Sequence, residues 1–497
     1  MIILALAAVA VHWSDRSSNP LLNAKGFFEL SDRRIKIAFL GNARPMLSDW
    51  FGKHQNSPVS IYSDTGVLMV LPGSMANEIR NDKRFHLRQQ VERVSKALFS
   101  IYHSASLTLK KMMHGRLPGF EVFRDDYNNH IVKTVINRDL TKQLGKRTSP
   151  LHLSTKYQWP YRSCLDPTQL VARTSSRVFL GAELCHNPEW LKVSKEYAVL
   201  AFLAAQDLRL WSPWLRPIAS LFLSKCRLSR AAIHKARATI EPVLAERSKL
   251  VAKNTGGKAT VFDDAIAWIE CAAGTASYDP QIVQLSLSAV AVHTTTDLLS
   301  QALADIAAHP EIIAPLREEM ISIMNQDGVL QTASLGRMEL LDSCIKESQR
   351  MKPLSIASMG RIATERVTLS NGTVIPKGQS ILVDSSRMWD AKVHPSSPKT
   401  WDGYRFLRMR EDPMKRDMAP LVSTSPDHIA FGYGVHACPG RFFAANEVKI
   451  ALIYILLKYE LRFEEGQMPR AFDHGFTCVS DPSLKLSVRR RTEATVL

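Results

Sequence analysis

The chain contains little cysteine: its 497 residues include seven, and no two of them form a C-x-x-C pair. A dense disulfide framework is therefore excluded, and a zinc ribbon is not expected. The chain also lacks an internal repeat, a low-complexity linker and any run of about 18 apolar residues, the length that a membrane-spanning helix needs. Hydrophobic residues make up 45% and charged residues 22%. These proportions exclude a disordered chain, a collagen and a polytopic membrane protein.

Acidic side chains are also scarce, because 47 acids face 64 lysines and arginines and leave a formal net charge of +17. Such a surplus indicates attraction to nucleic acid, to anionic lipid or to an acidic protein. The basic residues are dispersed, and the densest short run, at 489–491, contains no aromatic residue. We therefore predict no nucleic-acid partner. A solvated basic surface is the plain alternative.

The N-terminus is apolar, but it is short and does not begin with basic residues. Residues 1–11 carry no charged side chain, and Asp15 and Arg16 follow soon after. A helix of about thirteen residues spans about 20 Å, less than the roughly 30 Å hydrocarbon core of a bilayer. A secretory signal would begin with a basic segment. We predict a short or incomplete membrane anchor at 1–20, followed by one domain at 21–497; a signal remnant and a frayed terminus are the alternatives.

Apolar residues recur at helical spacing through most of the chain, which predicts a mainly α protein. A long apolar helix is expected over 282–308 and an amphipathic helix over 336–352. Alternating apolar residues predict hairpins at 59–71, around Asp-Thr-Gly, and at 367–375, around Asn-Gly. Residues 484–488 alternate like a further strand. Strands at both ends of the chain indicate one interwoven domain with small β-sheets.

One segment, FGYGVHACPGR at 431–441, combines three glycines and a proline around a single cysteine, Cys438. Ala437 precedes the cysteine, and Pro439 suits the first position of a helix that continues over 441–457. At a helix N-terminus, free N–H groups and the helix dipole stabilise a thiolate. The glycines allow the backbone to lie close to something flat and bulky. Taken by itself, the segment also fits a buried cysteine in a glycine-rich turn.

This segment resembles the haem-binding signature of the cytochrome P-450 family, Phe-x-x-Gly-x-[Arg/His]-x-Cys-x-Gly. The signature positions are all filled, by Phe431, Gly434, His436, Cys438 and Gly440. The resemblance implies haem b as cofactor, with Cys438 as the axial thiolate ligand of the iron. It also implies that His436 reaches a haem propionate and that Phe431 packs beside the sulfur. The expected fold is the cytochrome P-450 fold: mainly α with small β-sheets, in a single haem-binding domain.

Glu347 and Arg350 are spaced i, i+3, so that they lie on one face of the helix predicted over 336–352. E-x-x-R by itself is a weak pattern that also fits a surface ion pair. Here it precedes the cysteine segment, with Arg405 between them, and this order resembles the family's Glu/Arg/Arg cluster. The resemblance implies a structural role. A carboxylate shared by two guanidiniums in the interior costs about 3–5 kcal/mol to break.

Hydroxyl and imidazole groups interrupt the apolar helix at His293, Thr294 and Thr295. Buried hydroxyls need partners, and back-bonding to the preceding turn of the helix is the plain explanation. The family carries [Ala/Gly]-Gly-x-[Asp/Glu]-Thr here, in its dioxygen-activating groove. The resemblance implies that Thr294 is the activating alcohol, Ala291 takes the glycine place and His293 takes the acid place. This departure leaves open which group relays protons, and Thr295 is the alternative hydroxyl.

Further cofactor and substrate contacts follow from the same resemblance. Arg361 falls where the family places a propionate-binding arginine, and His130 and Lys133 lie where another propionate ligand is expected. Residues placed in the substrate pocket are Ala289, Val290, Ile356, Ala357, Ser358, Met359, Phe476, Thr477 and Cys478.

The resemblance implies a haem-thiolate monooxygenase that oxidises an apolar secondary-metabolite scaffold, such as a terpenoid, meroterpenoid or polyketide. Residues 203–211 and 423–428 are similar to those of filamentous-fungal members. The chain has no glycine-rich dinucleotide motif, so NADPH would be oxidised by a separate diflavin reductase, whose acidic surface suits the positive charge. The expected location is the endoplasmic reticulum membrane, with the domain facing the cytosol.

Two other functions compete with this interpretation. A thiolate-haem isomerase or dehydratase would not activate dioxygen, and the intact Thr294 argues against it. A basic membrane-surface protein without haem would have no use for the cysteine segment around Cys438.

Overall fold

The structure is a computed structural model that describes residues 19–101, 166–253, 262–273, 279–463 and 467–491, apart from residues 27, 28, 30, 213 and 329. The predicted membrane anchor falls almost entirely outside the described residues. His130 and Lys133, the predicted propionate contacts, also lie outside them.

Helices make up most of the described chain. In chain order they are α1 Arg33–Lys53, α2 Ala76–Ile79, α3 Leu87–Ile101, α4 Pro167–Phe179, α5 Gly181–Leu184, α6 Pro188–Arg209, α7 Arg216–Phe222, α8 Ser224–Lys253, α9 Ala265–Ala273, α10 Pro280–Ala308, α11 Ile313–Asp327, α12 Thr332–Arg337, α13 Glu339–Met351, α14 Arg405–Met409 and α15 Arg441–Lys458. Short 3-10 turns add Gly73–Met75, Pro310–Ile312, Ser386–Trp389, Arg416–Met418 and Gly434–His436.

The strands are short. They are β1 Val59–Ser63, β2 Gly66–Leu71, β3 Phe85–His86, β4 Ala357–Ala363, β5 Val367–Thr368, β6 Val374–Ile375, β7 Ser380–Asp384, β8 Tyr459–Phe463, β9 Ala471–His474, β10 Thr477–Ser480 and β11 Leu486–Arg490. Five of them form one sheet in the order β1-β2-β7-β4-β3, and the pairs β5–β6, β8–β11 and β9–β10 form two-stranded sheets.

The register follows the predicted turns. In the first hairpin, Val59 lies opposite Val70 and the turn is completed by Gly66, whose φ of 110° suits glycine. β2 then lies parallel to β7, and β4 lies antiparallel to β7 and β3. Both predicted hairpins and the strand near the C-terminus are confirmed. The fold class is confirmed as well: mainly α, with small sheets, in a single domain.

The long helix α10 runs through the core and organises the domain. Asp279 caps it by accepting the N–H of Ile282 at 3.0 Å, and Pro280 occupies the first turn. By length and composition it is the one described helix that could cross a membrane, but 61% of its apolar window is buried inside the protein. It packs against α4, α6, α13 and α15. α10 is therefore a core helix.

The prediction of a single helix over 336–352 is wrong in its first turn, where the structure has a break between two helices. The structure ends α12 at Arg337 and begins α13 at Glu339. The carboxylate of Glu319 on α11 accepts the N–H groups of Leu340 at 2.7 Å and Leu341 at 3.0 Å. These N–H groups are capped from another helix, so a new helix starts here.

Candidate active site

The loop that carries the cysteine is closed by its own backbone. The Cys438 N–H donates to the carbonyl of Phe431 at 2.7 Å, and the Ala437 N–H donates to that of Gly434 at 3.1 Å. Arg441, the first residue of α15, donates from Nη1 to the carbonyl of Cys438 at 2.9 Å. These bonds hold Cys438 just before the first turn of α15, where free N–H groups favour a negative charge.

Gly434 cannot be replaced without moving the loop. Its φ is 80°, and a Cβ built on it would lie 2.6 Å from the carbonyl oxygen of Arg80. The next residue, Val435, donates its N–H to Oδ1 of Asn81 at 3.0 Å. The glycine therefore lets the cysteine loop lie directly on the segment that follows α2.

The Cys438 thiol is suited to binding a cation that brings its own further ligands. Burial raises the pKa of this thiol, whereas the N–H of Gly440 and the charge of Arg441 act in the opposite direction. Binding of a metal cation displaces the thiol proton. Among the described residues no group of three or more His, Cys, Asp and Glu side chains could hold a metal ion. A lone protein thiolate fits an iron whose other ligands come from a porphyrin.

Arg361 on β4 is a buried cation that has no acidic partner among the described residues. It is 3% exposed, and its Nη1 donates to the carbonyl of Gly360 at 2.7 Å. Burial lowers the pKa of its guanidinium to about 10. A buried charge is costly until an opposite charge compensates it, so the site fits an anionic group such as a haem propionate. His436, the other predicted propionate contact, lies half-buried at the end of the turn Gly434–His436.

The structure brings Glu347, Arg350 and Arg405 together in the interior. Glu347 Oε2 accepts from Arg350 Nε at 2.7 Å, and Oε1 accepts from Arg350 Nη2 at 2.8 Å and from Arg405 Nε at 3.0 Å. The backbone N–H of Asp402 adds a further donor at 3.1 Å. Each remaining guanidinium nitrogen donates to at least one carbonyl, such as those of Met388 and Ser396. The cluster ties α13 to α14 and to the loop before it.

The face of α10 that carries Thr294 is open, unlike the rest of this core helix. Val290 is 68% exposed, and Thr294 one turn later is also exposed. The Thr294 hydroxyl donates to the carbonyl of Val290 at 2.8 Å. α10 therefore presents an exposed stripe that carries both an apolar side chain and a hydroxyl group.

His293 and Thr295 do not share this open face. Nε2 of His293 lies 2.7 Å from the carbonyl oxygen of Lys195, which fastens α10 to α6. Thr295 is 2% exposed. Neighbouring residues on a helix point about 100° apart, so the structure separates both side chains from Thr294.

Two of the predicted pocket segments lie side by side, but only part of each segment keeps exposed surface. The Ile356 N–H donates to the carbonyl of Phe476 at 2.9 Å, so the turn before β4 and the β9–β10 hairpin are joined. Ser358, Phe476 and Thr477 keep exposed surface, as do Ala289 and Val290 on α10. Four other residues of the predicted pocket are buried and belong to core clusters: Ile356, Ala357, Met359 and Cys478. Residues in extended backbone alternate between faces, so consecutive positions cannot all line a cavity.

Comparison with known proteins shows the family to which this chain belongs. The family model for cytochrome P-450 matches residues 178–488. The chain belongs to the cytochrome P-450 family. It is 42% identical to the cytochrome P-450 monooxygenase sdnQ of Sordaria araneosa, over 95% of this chain and 86% of that protein. It is 42% identical to cytochrome P-450 monooxygenase 1 of Gibberella fujikuroi over 88% of this chain and 98% of that protein, and 38% identical to the monooxygenase adrA of Penicillium rubens over 97% and 93%.

Membership of the cytochrome P-450 family makes haem b the cofactor and monooxygenation the class of reaction. The described residues fit this group. Cys438 would supply the thiolate that binds the iron, and the charge of Arg361 would meet a propionate. The recognised family and the predicted cofactor are confirmed.

A buried lysine that was not predicted from the sequence also stabilises the approach to the loop that carries Cys438 in this cytochrome P-450. Lys346 is fully buried, and its Nζ donates to the carbonyl groups of Met418 at 2.6 Å, Pro420 at 2.7 Å and Ser423 at 3.0 Å. Burial lowers the pKa of this ammonium to about 7. The contact fixes the segment that leads into the loop. A lysine on an amphipathic helix is ordinarily exposed, so the sequence contained no signal for it.

Proposed function

We propose that this cytochrome P-450 hydroxylates, or otherwise oxidises, an apolar secondary-metabolite scaffold such as a terpenoid, a meroterpenoid or a polyketide. The observation that carries the proposal is the open face of α10, where apolar Val290 and the Thr294 hydroxyl are exposed side by side. An apolar substrate would lie on this face, against Ala289 and the wall that includes Phe476. The similarity of residues 203–211 and 423–428 to filamentous-fungal members supports this substrate class.

The residues divide into those that hold the cofactor and those that serve the reaction. Haem b, when bound, supplies the activation of dioxygen. Cys438 binds it as a thiolate, Phe431 packs beside the sulfur, and His436 and Arg361 bind the propionates. These roles follow from the donors described above: a thiol that belongs to no metal-binding group of side chains among the described residues, and a guanidinium that has no acidic partner among them.

We assign to Thr294 the delivery of a proton to the reaction from its hydroxyl group. Its Oγ1 donates to the Val290 carbonyl oxygen at 2.8 Å, and rotation of the hydroxyl turns this proton toward the open face. His293 serves as a positioning residue, since its ring is held by the Lys195 carbonyl and anchors α10. We call α13, α14, the cysteine loop and α15 the cysteine side of the fold. The cluster of Glu347, Arg350 and Arg405 stabilises this side and does not contact substrate.

Electrons come from a separate diflavin reductase that oxidises NADPH. The net charge of +17 supports this partner, because an acidic flavin domain would be attracted to a basic surface. The exposed Lys415 and Arg416 lie just before the segment that Lys346 holds and that leads into the cysteine loop. They therefore offer a docking position on the cysteine side.

The protein lies on the endoplasmic reticulum membrane, anchored through residues 1–20 and facing the cytosol. The region around α7 supports membrane contact, because it exposes Trp214 at 74% and Phe222 at 76%, with Ile218 and Leu221 also exposed. Exposed apolar groups of this size mark interaction surfaces, and tryptophan favours the membrane interface.

The oxidation is tested by expressing the protein with a diflavin reductase and supplying a library of terpenoid and polyketide scaffolds. We expect a product that contains one oxygen atom from labelled dioxygen and that requires NADPH. The reduced protein with carbon monoxide should show the long-wavelength Soret band of thiolate-ligated haem. A product formed without NADPH and dioxygen would instead identify an isomerase or a dehydratase.

The membrane contact is tested by sedimentation with vesicles of neutral and anionic phospholipid. A variant with Trp214→Ser and Phe222→Ser should bind vesicles less than the unmodified chain does. Met414→Ser is the matched control, because Met414 is 86% exposed but lies on the cysteine side. Equal loss in the control would show that the α7 surface has no special role.

A further inference from the structure

Asp297 on α10 is a buried carboxylate with an unusual pair of partners. Its Oδ1 accepts the backbone N–H of Ser480 at 2.7 Å, and its Oδ2 accepts from Nε2 of Gln301 at 2.5 Å. It forms no ion pair with any described residue. Burial raises the pKa of this carboxyl, and the bond from Ser480 opposes the rise. The carboxylate therefore joins the core helix to a strand end that is far away in sequence.

Ser480 is the last residue of β10, the strand that starts at Thr477. Within the hairpin, Thr477 lies opposite His474, and Phe476 stands at the turn. Thr477 and Ser480 are about 10 Å apart along the strand, and Thr294 and Asp297 about 4.5 Å apart along the helix axis. Both distances lie within short, regular elements. The bond at Asp297 therefore links the hairpin to α10 one helical turn beyond Thr294.

We infer that Asp297 is a specificity-determining positioning residue, whose carboxylate fixes how far Phe476 and Thr477 stand from Val290 and Thr294. The inference rests on the proposed function, in which the substrate lies between these two surfaces. Asp297 acts through the hairpin and does not touch the substrate itself.

The neighbouring amide allows a sharp comparison of variants. Oε1 of Gln301 has no hydrogen-bond partner among the described residues. In Asp297→Asn, the new Oδ1 still accepts from Ser480, and the new amide N–H donates to Gln301 once that side chain has turned over. Asp297→Asn therefore keeps the connection without the charge, whereas Asp297→Ala removes the connection.

Asp305 provides a matched control on the same helix. It is buried like Asp297, but its Oδ1 accepts from Lys352, the residue after α13, at 2.5 Å. It has no hydrogen bond to the β9–β10 hairpin. Asp305→Asn makes the same chemical change. It should lower the thermal stability of the protein without changing the spacing at the open face.

The test is a spectral titration of the haem-containing protein with imidazole and with the larger 4-phenylimidazole. In Asp297→Ala the ratio of the two dissociation constants should change by about two- to tenfold, the effect of one lost hydrogen bond. The ratio should stay unchanged in Asp297→Asn and in Asp305→Asn. An unchanged ratio in Asp297→Ala, or an equal change in Asp297→Asn, overturns the inference.

A second variant covers the case in which Asp297→Ala loses haem. Ser480→Pro removes the N–H donor from the hairpin side, where Ser480 donates to Asp297. It should change the ratio in the same way. If the unmodified protein lacks the thiolate Soret band, the proposed function fails; if the band is present and the ratio stays constant in both variants, this inference alone fails.

Discussion

On the cysteine side of the site, two buried charges, those of Glu347 and Lys346, are each held by several partners. Glu347 accepts from two guanidiniums and a backbone N–H, and Lys346 donates to three carbonyl groups. On the α10 side, Thr294 donates only within its own helix, and Val290 is 68% exposed. A rearrangement of the cysteine side would leave a buried charge without its partners, whereas a ligand can contact the α10 side without disrupting the fold. Substitutions on the two sides should therefore separate stability from reaction chemistry.

The largest effect is expected at Cys438. Cys438→Ala should abolish the long-wavelength Soret band of the reduced carbon monoxide complex, because no other cysteine lies in the loop before α15. Cys185→Ala is the control, since Cys185 is a buried free cysteine that belongs to the end of α5. A Cys438→Ala protein that keeps the band would disprove the assignment.

Glu347→Gln should destabilise the protein next most strongly. Removing the carboxylate leaves two buried guanidiniums without their counter-charge, which costs about 3–5 kcal/mol. The measurements are the haem content and the free energy of unfolding in denaturant. Glu339→Gln on the same helix should have little effect, because Glu339 is exposed and its pair with Arg410 is 3.3 Å long. A soluble, haem-replete Glu347→Gln protein that is merely slower would contradict a structural role.

On the α10 side, Thr294→Ala should leave haem content and stability nearly unchanged, because the hydroxyl bonds only within its own helix. Product formed per NADPH should fall several-fold, with hydrogen peroxide released instead, since proton delivery loses its donor. Thr295→Ala and Thr294→Ser are the comparisons, and both should stay close to the unmodified protein. If Thr295→Ala loses coupling and Thr294→Ala does not, the role belongs one residue further along.

The last expected effect is a pH dependence on the cysteine side. Glu447 on α15 is buried with the Ser175 hydroxyl donating to it at 2.8 Å, and burial raises its pKa to about 8. In the unfolded chain a glutamate titrates near pH 4.3, as is usual for this side chain, so the unfolded state binds fewer protons from about pH 4.5 to about pH 8. Stability should fall as the pH rises through this window, by at most about 1.4 kcal/mol per pH unit.

Glu447→Gln removes this titration and checks its sign. The free energy of unfolding of the variant, relative to the unmodified protein, should increase steadily from about pH 5 to about pH 8. Denaturant titrations across that range provide the measurement. A constant difference between the two proteins would show that Glu447 does not titrate in the folded state within this window.

Elements that depend on neighbouring residues were predictable. The two hairpins follow their Asp-Thr-Gly and Asn-Gly turns, and α10 follows a long apolar pattern with Asp279 and Pro280 at its start. The cysteine loop spans a short continuous segment whose glycine, proline and cysteine residues each have a local reason. The structure of such a segment is determined by the residue types within the segment itself.

Elements that depend on distant partners were not predictable. α13 begins at Glu339 because Glu319 on another helix captures two N–H groups. His293 faces the Lys195 carbonyl, 98 residues away in sequence, rather than the open face. Among the predicted pocket residues, neighbours in sequence divide between buried and exposed positions, and periodicity does not reveal which of them stay exposed.

The sequence by itself determined the family, the fold class and the cofactor, because these depend on patterns read within single segments. The tertiary structure decided which charges are buried and what each of them holds. Lys346 meets the Met418 carbonyl across 72 residues, and Asp297 meets the Ser480 N–H across 183. Such contacts exist only after the chain has folded, because each partner alone is an ordinary polar group that water would otherwise satisfy.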